Sequence, residues 1–388
     1  MDLALSEEQK MLQKVARDFL SNHFPKSLIK ELEASELGYL PELWKEMAKL
    51  GWMGLPFPED YGGAGMKFLD LAVLLEEMGR ACLTGPYFST VILGGLPILD
   101  EGSKQQKEEF LPRIASGDLI LTLALTEPTA RYDAAGIQLR AESDMNGYVL
   151  SGLKLFVPDA HVADYILCVA RTAGEAEPEE GISIFIVDAK SAGINYTLLR
   201  TIAGDKLCEV SFEGTKVPPQ NVLGKLNYEW SEVEHIVERA AVAKCCEMVG
   251  GMQQVLELTT NYAKERVQYG RPIGSFQAIQ HYLADMAIDV DGSRLSTYRA
   301  AWMLSEGLPC SRAIAVAKVW TSEAYQRVVA LAHQIHGGLG FTIDYDLHFY
   351  FRRATAAAPT FGGPDFYRQK MIKCDLHSTE ETDSNDPE

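Results

Sequence analysis

Two glycine-containing segments in the last third of the chain have residue types suited to binding phosphate. Residues 265–280 read E-R-V-Q-Y-G-R-P-I-G-S-F-Q-A-I-Q, and residues 333–341 read H-Q-I-H-G-G-L-G-F. An arginine can bind a phosphate through two parallel hydrogen bonds, and adjacent glycines let backbone N–H groups approach it. Each segment alone is also typical of a helix C-terminus. The two together favour a site for a phosphate-bearing ligand.

A carboxylate in an apolar segment is the second candidate for chemistry. Glu247 lies within residues 240–251, which read A-A-V-A-K-C-C-E-M-V-G-G. An unpaired carboxylate among apolar neighbours is costly unless it has a use. Lys244 offers an alternative, because residues three apart on a helix can form a surface ion pair. Glu247 is therefore either a candidate general base or one half of such a pair.

The hydrophobic periodicity predicts the helices and strands that must position these residues. From Ser6 to about residue 117 the pattern is helical, and Ser6 with Gln9 is typical of a capped helix start. Pro41 opens another helix that ends at Gly51. Further helices are predicted over residues 69–79, 87–99 and 105–116.

The period changes to that of β-strands between residues 118 and 227. Short apolar runs alternate there with Gly, Pro, Asp and Asn turns, as in a β-barrel or sandwich. The predicted strands are residues 119–125, 136–142, 148–154, 165–170, 182–187, 196–200 and 207–212.

Long helical stretches return after residue 228, over residues 232–269, 275–306, 309–337 and 347–357. Their lengths suit a four-helix bundle. The sequence thus predicts an α+β chain with an N-terminal helical domain (1–117), a middle β domain (118–227) and a C-terminal helical bundle (228–373). An acidic tail (374–388) is predicted to be disordered.

Composition excludes several classes of function. The net charge of -18 argues against nucleic acid or an anionic membrane as the main partner. No apolar run approaches the ~20 residues of a membrane span, so a cytoplasmic location is expected. No cluster of His, Cys or carboxylate residues has the spacing of metal ligands, and the seven cysteines form no C-x-x-C motif.

The two glycine-containing segments, placed behind a β domain, resemble the flavin-binding signature of the acyl-CoA dehydrogenase family. The order of helices, β domain and helical bundle is similar to that family's fold over essentially the whole chain. The resemblance implies FAD as cofactor and α,β-dehydrogenation of an acyl-CoA thioester, as in lipid or carboxylic acid degradation. In that reaction a carboxylate removes the α proton, and the β hydrogen leaves as hydride to flavin N5.

The resemblance also implies the flavin-binding residues. Thr126, in the tripeptide Thr-Glu-Pro, would hydrogen-bond the isoalloxazine ring. Residues 154–159 (K-L-F-V-P-D) resemble the family's Lys-x-Trp-Ile-Thr-Asn strand, with Phe156 as the ring and Pro158 in place of the threonine. Pro158 brings neither a hydroxyl nor an N–H. The full expected set is Leu125, Thr126, Phe156, Pro158, Arg266, Gln268, Tyr269, Phe276, Gln334, Gly337 and Gly338.

The catalytic base is the main departure from the family. Residues 360–364 read T-F-G-G-P, and Phe361 stands where the family carries its glutamate. Ala240 stands near the position that other members use. The chain thus resembles a bacterial-type branch that lacks the usual glutamate in the C-terminal turn. Glu247 is the candidate base, Asp365 is the reserve, and a base elsewhere or none is the remaining alternative.

Substrate and partners are expected from the same resemblance. Five residues are predicted to contact the acyl-CoA: Tyr87, Phe88, Arg131, Tyr132 and Ala240. A branched, cyclic or otherwise bulky acyl group, an electron-transfer flavoprotein or similar acceptor, and a homotetramer are expected. One alternative is a base-deficient subunit of a hetero-oligomeric dehydrogenase, in which one chain contributes the base and the other completes the flavin site. A non-oxidative elimination on the same scaffold is another.

Overall fold

The computed structural model describes residues 4–173 and 179–383, with side chains as far as residue 373. Two compact units are present, each built from segments that are distant in sequence. The helical unit comprises Met1–Lys26, Lys67–Leu83 and Ala241–Glu388, and the sheet unit comprises Ser27–Met66 and Thr84–Ala240. The predicted N-terminal helical region therefore contributes to both units. The boundaries of the three predicted domains stay a prediction.

Eleven α-helices are found in the described part of the chain. They are α1 (Glu7–His23), α2 (Lys26–Ala34), α3 (Pro41–Lys49), α4 (Phe68–Ala81), α5 (Leu96–Glu101), α6 (Lys104–Ala115), α7 (Trp230–Glu265), α8 (Gln277–Ser305), α9 (Ser311–His336), α10 (Leu347–Ala357) and α11 (Pro364–Asp383). None of the helices described here combines the length and the apolarity that crossing a bilayer requires.

The start of α1 has the predicted capping box. The Gln9 N–H donates to the Ser6 hydroxyl at 3.2 Å, and the Ser6 N–H donates to the Gln9 side chain at 3.0 Å. Two backbone donors that the helix itself cannot satisfy are thereby paired. Pro41 occupies the first turn of α3, as expected, because its missing N–H is not needed there.

The strands of the sheet unit form one eight-stranded sheet. They are β1 (Leu121–Ala124), β2 (Arg140–Asp144), β3 (Gly147–Pro158), β4 (Tyr165–Arg171), β5 (Ile182–Asp188), β6 (Ile194–Leu199), β7 (Leu207–Val217) and β8 (Val222–Tyr228). Their order is β6-β7-β3-β2-β4-β5-β8, and β1 pairs in parallel with β4. All seven predicted strands are present. The eighth, β8, was not predicted, because its polar residues hide the period-2 alternation.

The apolar faces of these strands build the core of the sheet unit. Leu150 and Val157 of β3, Cys168 of β4, Phe185 of β5 and Phe212 of β7 are completely or almost completely buried in one cluster. Burying one large apolar side chain contributes about 1.5–3 kcal/mol. The cluster therefore fixes the register of the strands whose ends carry the predicted flavin contacts.

A π-helix, Phe88–Gly95, replaces the regular α-helix predicted over residues 87–99. The N–H of Leu96 donates to the carbonyl of Val91, five residues earlier, and α5 continues from there. Seven of its eight residues, from Ser89 to Gly95, are buried. π-Helices are rare and are found mostly at functional sites. This stretch begins beside Tyr87, which is predicted to contact substrate.

In the helical unit, ion pairs link α4 to its neighbours. Arg17 of α1 donates to Glu77 at 2.6 Å, and Arg294 of α8 donates to Glu76 at 2.9 Å. Both glutamates are buried, so removing either arginine would leave a carboxylate without its charged partner. The pairs therefore hold the helices of this unit in one register.

The turn between α7 and α8 differs from the prediction. The sequence predicts helices over residues 232–269 and 275–306, but α7 ends at Glu265 and α8 begins at Gln277. Between them, Val267–Gln268 (β9) and Arg271–Pro272 (β10) form a two-stranded hairpin. Tyr269 and Gly270 both have positive φ, at 53° and 75°. This is the geometry of a two-residue hairpin turn, so Gly270 is not the helix cap that its position favoured.

The disordered tail predicted over residues 374–388 stays a prediction, as do the other domain boundaries. Helix α11 continues through Asp383, and residues 384–388 lie outside the described residues. Extending an existing helix costs far less than starting one, so a polar segment can continue it without an apolar face.

Candidate active site

The first predicted flavin contacts lie where β1 ends in the sheet unit. Leu125 is buried and Thr126 is half-buried, directly after Ala124. The carbonyl of Thr126 accepts a hydrogen bond from the N–H of Leu155 at 2.8 Å. This bond brings the Thr-Glu-Pro segment against β3, so two segments predicted to contact flavin are adjacent.

A bulge in β3 presents the next predicted contact. The pairing of β3 with β7 shifts between Lys154 and Val157, and Phe156 in that gap has a φ of 54°. A positive φ is uncommon for a bulky residue, and bulges redirect side chains out of a sheet. The ring of Phe156 is 52% exposed. Pro158 is half-buried, and its carbonyl accepts from the Thr122 hydroxyl at 2.5 Å.

A buried ion pair beneath this bulge was not predicted. The Lys154 ammonium lies 2.7 Å from the Glu127 carboxylate, and their side chains are only 0% and 4% exposed. The sequence does contain a sign of this ion pair. Lys154 stands in an apolar strand, and a buried lysine almost always requires a charged partner. Only the fold identifies that partner.

The predicted substrate contacts in the sheet unit differ in their exposure to solvent. Arg131 is exposed and donates to Asp133, and Tyr132 is half-buried. Tyr87 is buried, and its hydroxyl donates to the carbonyl of Trp52 at 3.0 Å. Burial raises the pKa of Tyr87, so this residue stays neutral. Phe88 is half-buried at the start of the π-helix.

In the helical unit, the β9–β10 hairpin presents Arg266, Gln268 and Tyr269 to solvent. Tyr269 is 93% exposed, which is unusual for a large ring. The guanidinium of Arg271 lies over the ring of Phe276, 4.2 Å from its centre. Arg266 and Gln268 are exposed as well. The hairpin thus offers hydrogen-bond donors and open ring faces together.

The second glycine segment follows the end of α9. Gln334, Gly337 and Gly338 are exposed, and Gly337 has a φ of 60°. A Cβ atom added at either glycine would meet no described atom within 4 Å. The Gly337 N–H donates to the carbonyl of His333, and the space beside both glycines leaves room for a ligand to approach this backbone.

His336, just before these glycines, is held by its neighbours. Its Nδ1 lies 2.8 Å from the carbonyl of Ala332, its Nε2 lies 2.9 Å from the Tyr345 hydroxyl, and its ring stacks on Tyr262. Burial lowers the pKa of His336, which favours the neutral ring. These contacts favour a packing role.

These residues fit a flavin dinucleotide. Exposed arginine, glutamine and glycine backbone suit its phosphates, and exposed aromatic rings suit its adenine. A threonine and an exposed phenylalanine ring at the end of a sheet suit its isoalloxazine. Each unit by itself thus carries part of the donor set that such a cofactor needs.

The T-F-G-G-P turn after α10 contains no carboxylate and is closed by its own packing. Phe361 and Gly362 have φ angles of 58° and 101°. The carbonyl of Phe361 accepts from the Tyr367 hydroxyl at 3.0 Å. A Cβ added at Gly362 would lie 2.5 Å from the ring of Phe366, where no side chain fits. Asp365, the reserve base, is 92% exposed on its side chain and paired with Arg368 at 2.8 Å.

Lys318 of α9 holds the helix that leads into this turn. Its ammonium donates to the carbonyl of Ala358 at 2.8 Å and to the Ser322 hydroxyl at 3.2 Å. The side chain is completely buried, and this burial lowers the pKa of Lys318 to about 8. A cation at the carbonyl end of a helix is favourable, so Lys318 stabilises the end of α10. The sequence alone did not reveal this role.

The two remaining positions considered for the base lie on α7. Ala240 is completely buried and has no titratable group. The Glu247 side chain is 24% exposed and forms an ion pair with Lys244. The pair that the sequence allowed is therefore formed. The carboxylate is thereby bonded to a cation, and the role of Glu247 as base stays a prediction.

Comparison with known proteins decides the family. Family models described as the N-terminal, middle and C-terminal domains of acyl-CoA dehydrogenase match residues 6–118, 122–215 and 230–372. The chain belongs to the acyl-CoA dehydrogenase family. The "Probable acyl-CoA dehydrogenase YngJ" of Bacillus subtilis (strain 168) is 34% identical over 361 residues, which are 91% of this chain and 94% of that protein.

Two solved structures are similar over nearly the whole chain. The Tcur3481-Tcur3483 steroid ACAD is 31% identical with a TM-score of 0.87, and the match covers 96% of this chain and 99% of that one. The ChsE4-ChsE5 complex from Mycobacterium tuberculosis is 28% identical with a TM-score of 0.88, and the match covers 100% of both chains.

The predicted family, α+β fold class and cofactor are thereby confirmed. Members of the acyl-CoA dehydrogenase family are FAD-dependent oxidoreductases, and this chain has the family's three parts in order. General activity on acyl-CoA thioesters follows from the family. The substrate, the base and the partner chains are not fixed by family membership.

Proposed function

We propose that this chain is one subunit of an FAD-dependent acyl-CoA dehydrogenase that oxidises the α,β bond of a bulky acyl-CoA thioester. A related second chain would supply the carboxylate that accepts the α proton. The observation that supports this most is the T-F-G-G-P turn, in which Phe361 stands at the position of the family's glutamate and no carboxylate is present. The alternative position, Ala240, is also without one.

Similar proteins support both parts of the proposal. The matched structure of the ChsE4-ChsE5 complex contains two different chains, and the matched Tcur3481-Tcur3483 protein is named a steroid ACAD. A steroid side chain is a bulky acyl group. An electron-transfer flavoprotein or a similar protein would accept the electrons afterwards.

The residues of this chain would contact flavin in two groups, one from each compact unit. The hydroxyl of Thr126 and the ring of Phe156, bordered by Leu125 and Pro158, would contact the isoalloxazine end. Arg266, Gln268 and the segment of Gly337 and Gly338 would contact the phosphates of a flavin bound to a neighbouring subunit, where Tyr269 and Phe276 would contact its adenine and Gln334 would border it. Bound FAD supplies the acceptor for the β hydrogen and its electron pair.

A second candidate keeps the base within this chain. Glu247 is largely shielded from solvent between the buried residues Cys246 and Met248. A general base needs a carboxylate oxygen within hydrogen-bond reach of the proton that it accepts. The ion pair with Lys244 opposes this role, because it occupies one of the two carboxylate oxygens.

Anaerobic absorbance spectra would decide between these routes. The chain would be purified alone and after co-expression with related acyl-CoA dehydrogenase chains of the same genome, then mixed with butyryl-CoA or a steroid-carboxyl-CoA thioester. We expect the flavin band to bleach only with a partner chain present, and with the steroid thioester in preference. Bleaching by the chain alone would overturn the two-chain proposal.

A matched pair of variants tests Glu247 in the same assay. Glu247→Gln removes the candidate base, and Glu257→Gln removes another α7 carboxylate that is paired with an arginine, Arg80. We expect both variants to bleach like the wild type when the partner is present. Loss of bleaching in Glu247→Gln alone, with flavin still bound, would make Glu247 the base.

A further inference from the structure

The buried pair of Lys154 and Glu127 joins three segments of the sheet unit. The ammonium donates to the Glu127 carboxylate at 2.7 Å and to the carbonyl of Leu125 at 3.1 Å. The carboxylate also accepts from the N–H groups of Gln138 and Leu139, each at 3.0 Å. One pair thereby holds the end of β1, the start of β2 and the middle of β3 together.

This pair lies directly behind the two predicted isoalloxazine contacts. Thr126 stands between the two residues whose groups Lys154 binds, Leu125 and Glu127. Phe156 lies two residues after Lys154, in the bulge, and its φ of 54° is costly unless neighbouring contacts hold it. The bond from the Leu155 N–H to the Thr126 carbonyl, at 2.8 Å, connects the two sides.

Stability alone does not explain a pair of this kind. Replacing a completely buried ion pair by apolar residues of similar size is often neutral or stabilising, because burial of two charges is costly. What a hydrogen-bonded pair adds is a defined geometry, here imposed on backbone groups of three segments. The groups that this geometry places are the Thr126 hydroxyl and the Phe156 ring.

We propose that Lys154 and Glu127 are positioning residues for the cofactor, which fix the Thr126 strand end and the Phe156 bulge against the isoalloxazine ring. Neither residue contacts the cofactor itself. This inference rests on the contacts assigned to Thr126 and Phe156 in the proposed function. It predicts that removing the pair changes flavin binding and the flavin spectrum more than it changes folding.

The test is the double variant Lys154→Met/Glu127→Leu, which removes both charges and keeps the volume. We expect it to unfold cooperatively like the wild type and to bind FAD about tenfold or more weakly, with a shifted visible band, since hydrogen bonds to charged groups are the strong ones. The control is Asp100→Asn, which alters the buried Arg239 pair of the same unit. It should leave both the affinity and the spectrum unchanged.

Two outcomes would overturn the positioning role of Lys154 and Glu127. A folded double variant with wild-type FAD affinity and spectrum would overturn the positioning role. If the double variant does not fold, Lys154→Arg keeps the charge but displaces the donor, and an unchanged flavin spectrum in that variant would overturn the proposal as well. Failure of the wild type to bind FAD would instead count against the assigned cofactor contacts.

Discussion

Lys154 in the sheet unit and Lys318 in the helical unit are both completely buried, yet their partners differ. Lys154 faces a carboxylate, that of Glu127, so two opposite charges compensate each other. Lys318 donates instead to carbonyls and a hydroxyl, and its pKa falls to about 8. Burial without a countercharge favours the neutral amine. The same residue type thus forms an ion pair in one unit and is a titratable donor in the other.

The two lysines also lie beside different parts of the proposed site. Lys154 and Glu127 belong to the two segments of the sheet unit that are proposed to contact the isoalloxazine ring. In the helical unit, Lys318 holds the end of α10, and the turn that follows carries no carboxylate.

The largest effect is expected from breaking the compensated pair on one side. Lys154→Met leaves the Glu127 carboxylate buried without its cation, which costs about 3–5 kcal/mol of unfolding free energy. Urea denaturation of the FAD-free protein measures this loss. A loss of unfolding free energy below about 1 kcal/mol would mean that the buried Glu127 carboxylate does not depend on Lys154.

The second largest effect is expected in the contribution of Lys318 to stability, which should depend on pH. Its pKa is about 8 in the folded protein and 10.5 when unfolded, so the unfolded chain binds more protons between those values. The stability contributed by this group therefore rises with pH across that window, by about 3 kcal/mol in total. The measurement is the difference in unfolding free energy between wild type and Lys318→Met, from pH 7 to pH 10.5.

Because other groups titrate in both proteins, they cancel in that difference. The unfolding free energy of the wild type should increase relative to that of Lys318→Met as the pH rises. A difference that does not change with pH would show that Lys318 has the same pKa in the folded and the unfolded protein, and the contrast with Lys154 would disappear.

A smaller effect is expected at the closed turn. Gly362→Ala places a Cβ at a φ of 101° and 2.5 Å from the Phe366 ring. We expect a loss of about 1–3 kcal/mol, as for other strained backbone positions. Thermal unfolding measures it, and Gly363→Ala is the control, because no described atom lies within 4 Å of a Cβ added there. Equal melting temperatures for the two variants would mean that the turn can open.

The smallest effect is expected at Glu247. Its pair with Lys244 spans one helical turn, so Glu247→Gln should cost only a few tenths of a kcal/mol in stability. Guanidinium denaturation at low and high salt checks this. A loss above about 1 kcal/mol would indicate a role in packing that the ion pair does not explain.

The sequence predicted those features of the fold that depend on residue type and local spacing. Ser6 with Gln9 predicted the start of α1, and the alternation of apolar residues predicted the seven strands that contribute most of the core. The two glycine segments and the helix–sheet–helix order were sufficient for the family and its cofactor.

The rest depended on contacts between distant residues. The partner of Lys154 lies 27 positions away, and the carbonyls held by Lys318 lie about 40 positions away, so no local pattern could identify them. The hairpin between α7 and α8 was missed for another reason. Arg266 through Gly270 continue the helical period of the sequence, but α7 ends at Glu265 and a hairpin with positive φ at Tyr269 and Gly270 follows.

The π-helix Phe88–Gly95 has a consequence for how this segment could change in length. Its hydrogen bonds span five residues, so it holds one residue more than an α-helix of similar extent. Deleting a single residue there would let the segment wind as an α-helix, while Tyr87 before it and α5 after it would keep nearly the same orientation. Loss of one codon would thus change this buried backbone with no loop altered in length and no flanking element turned.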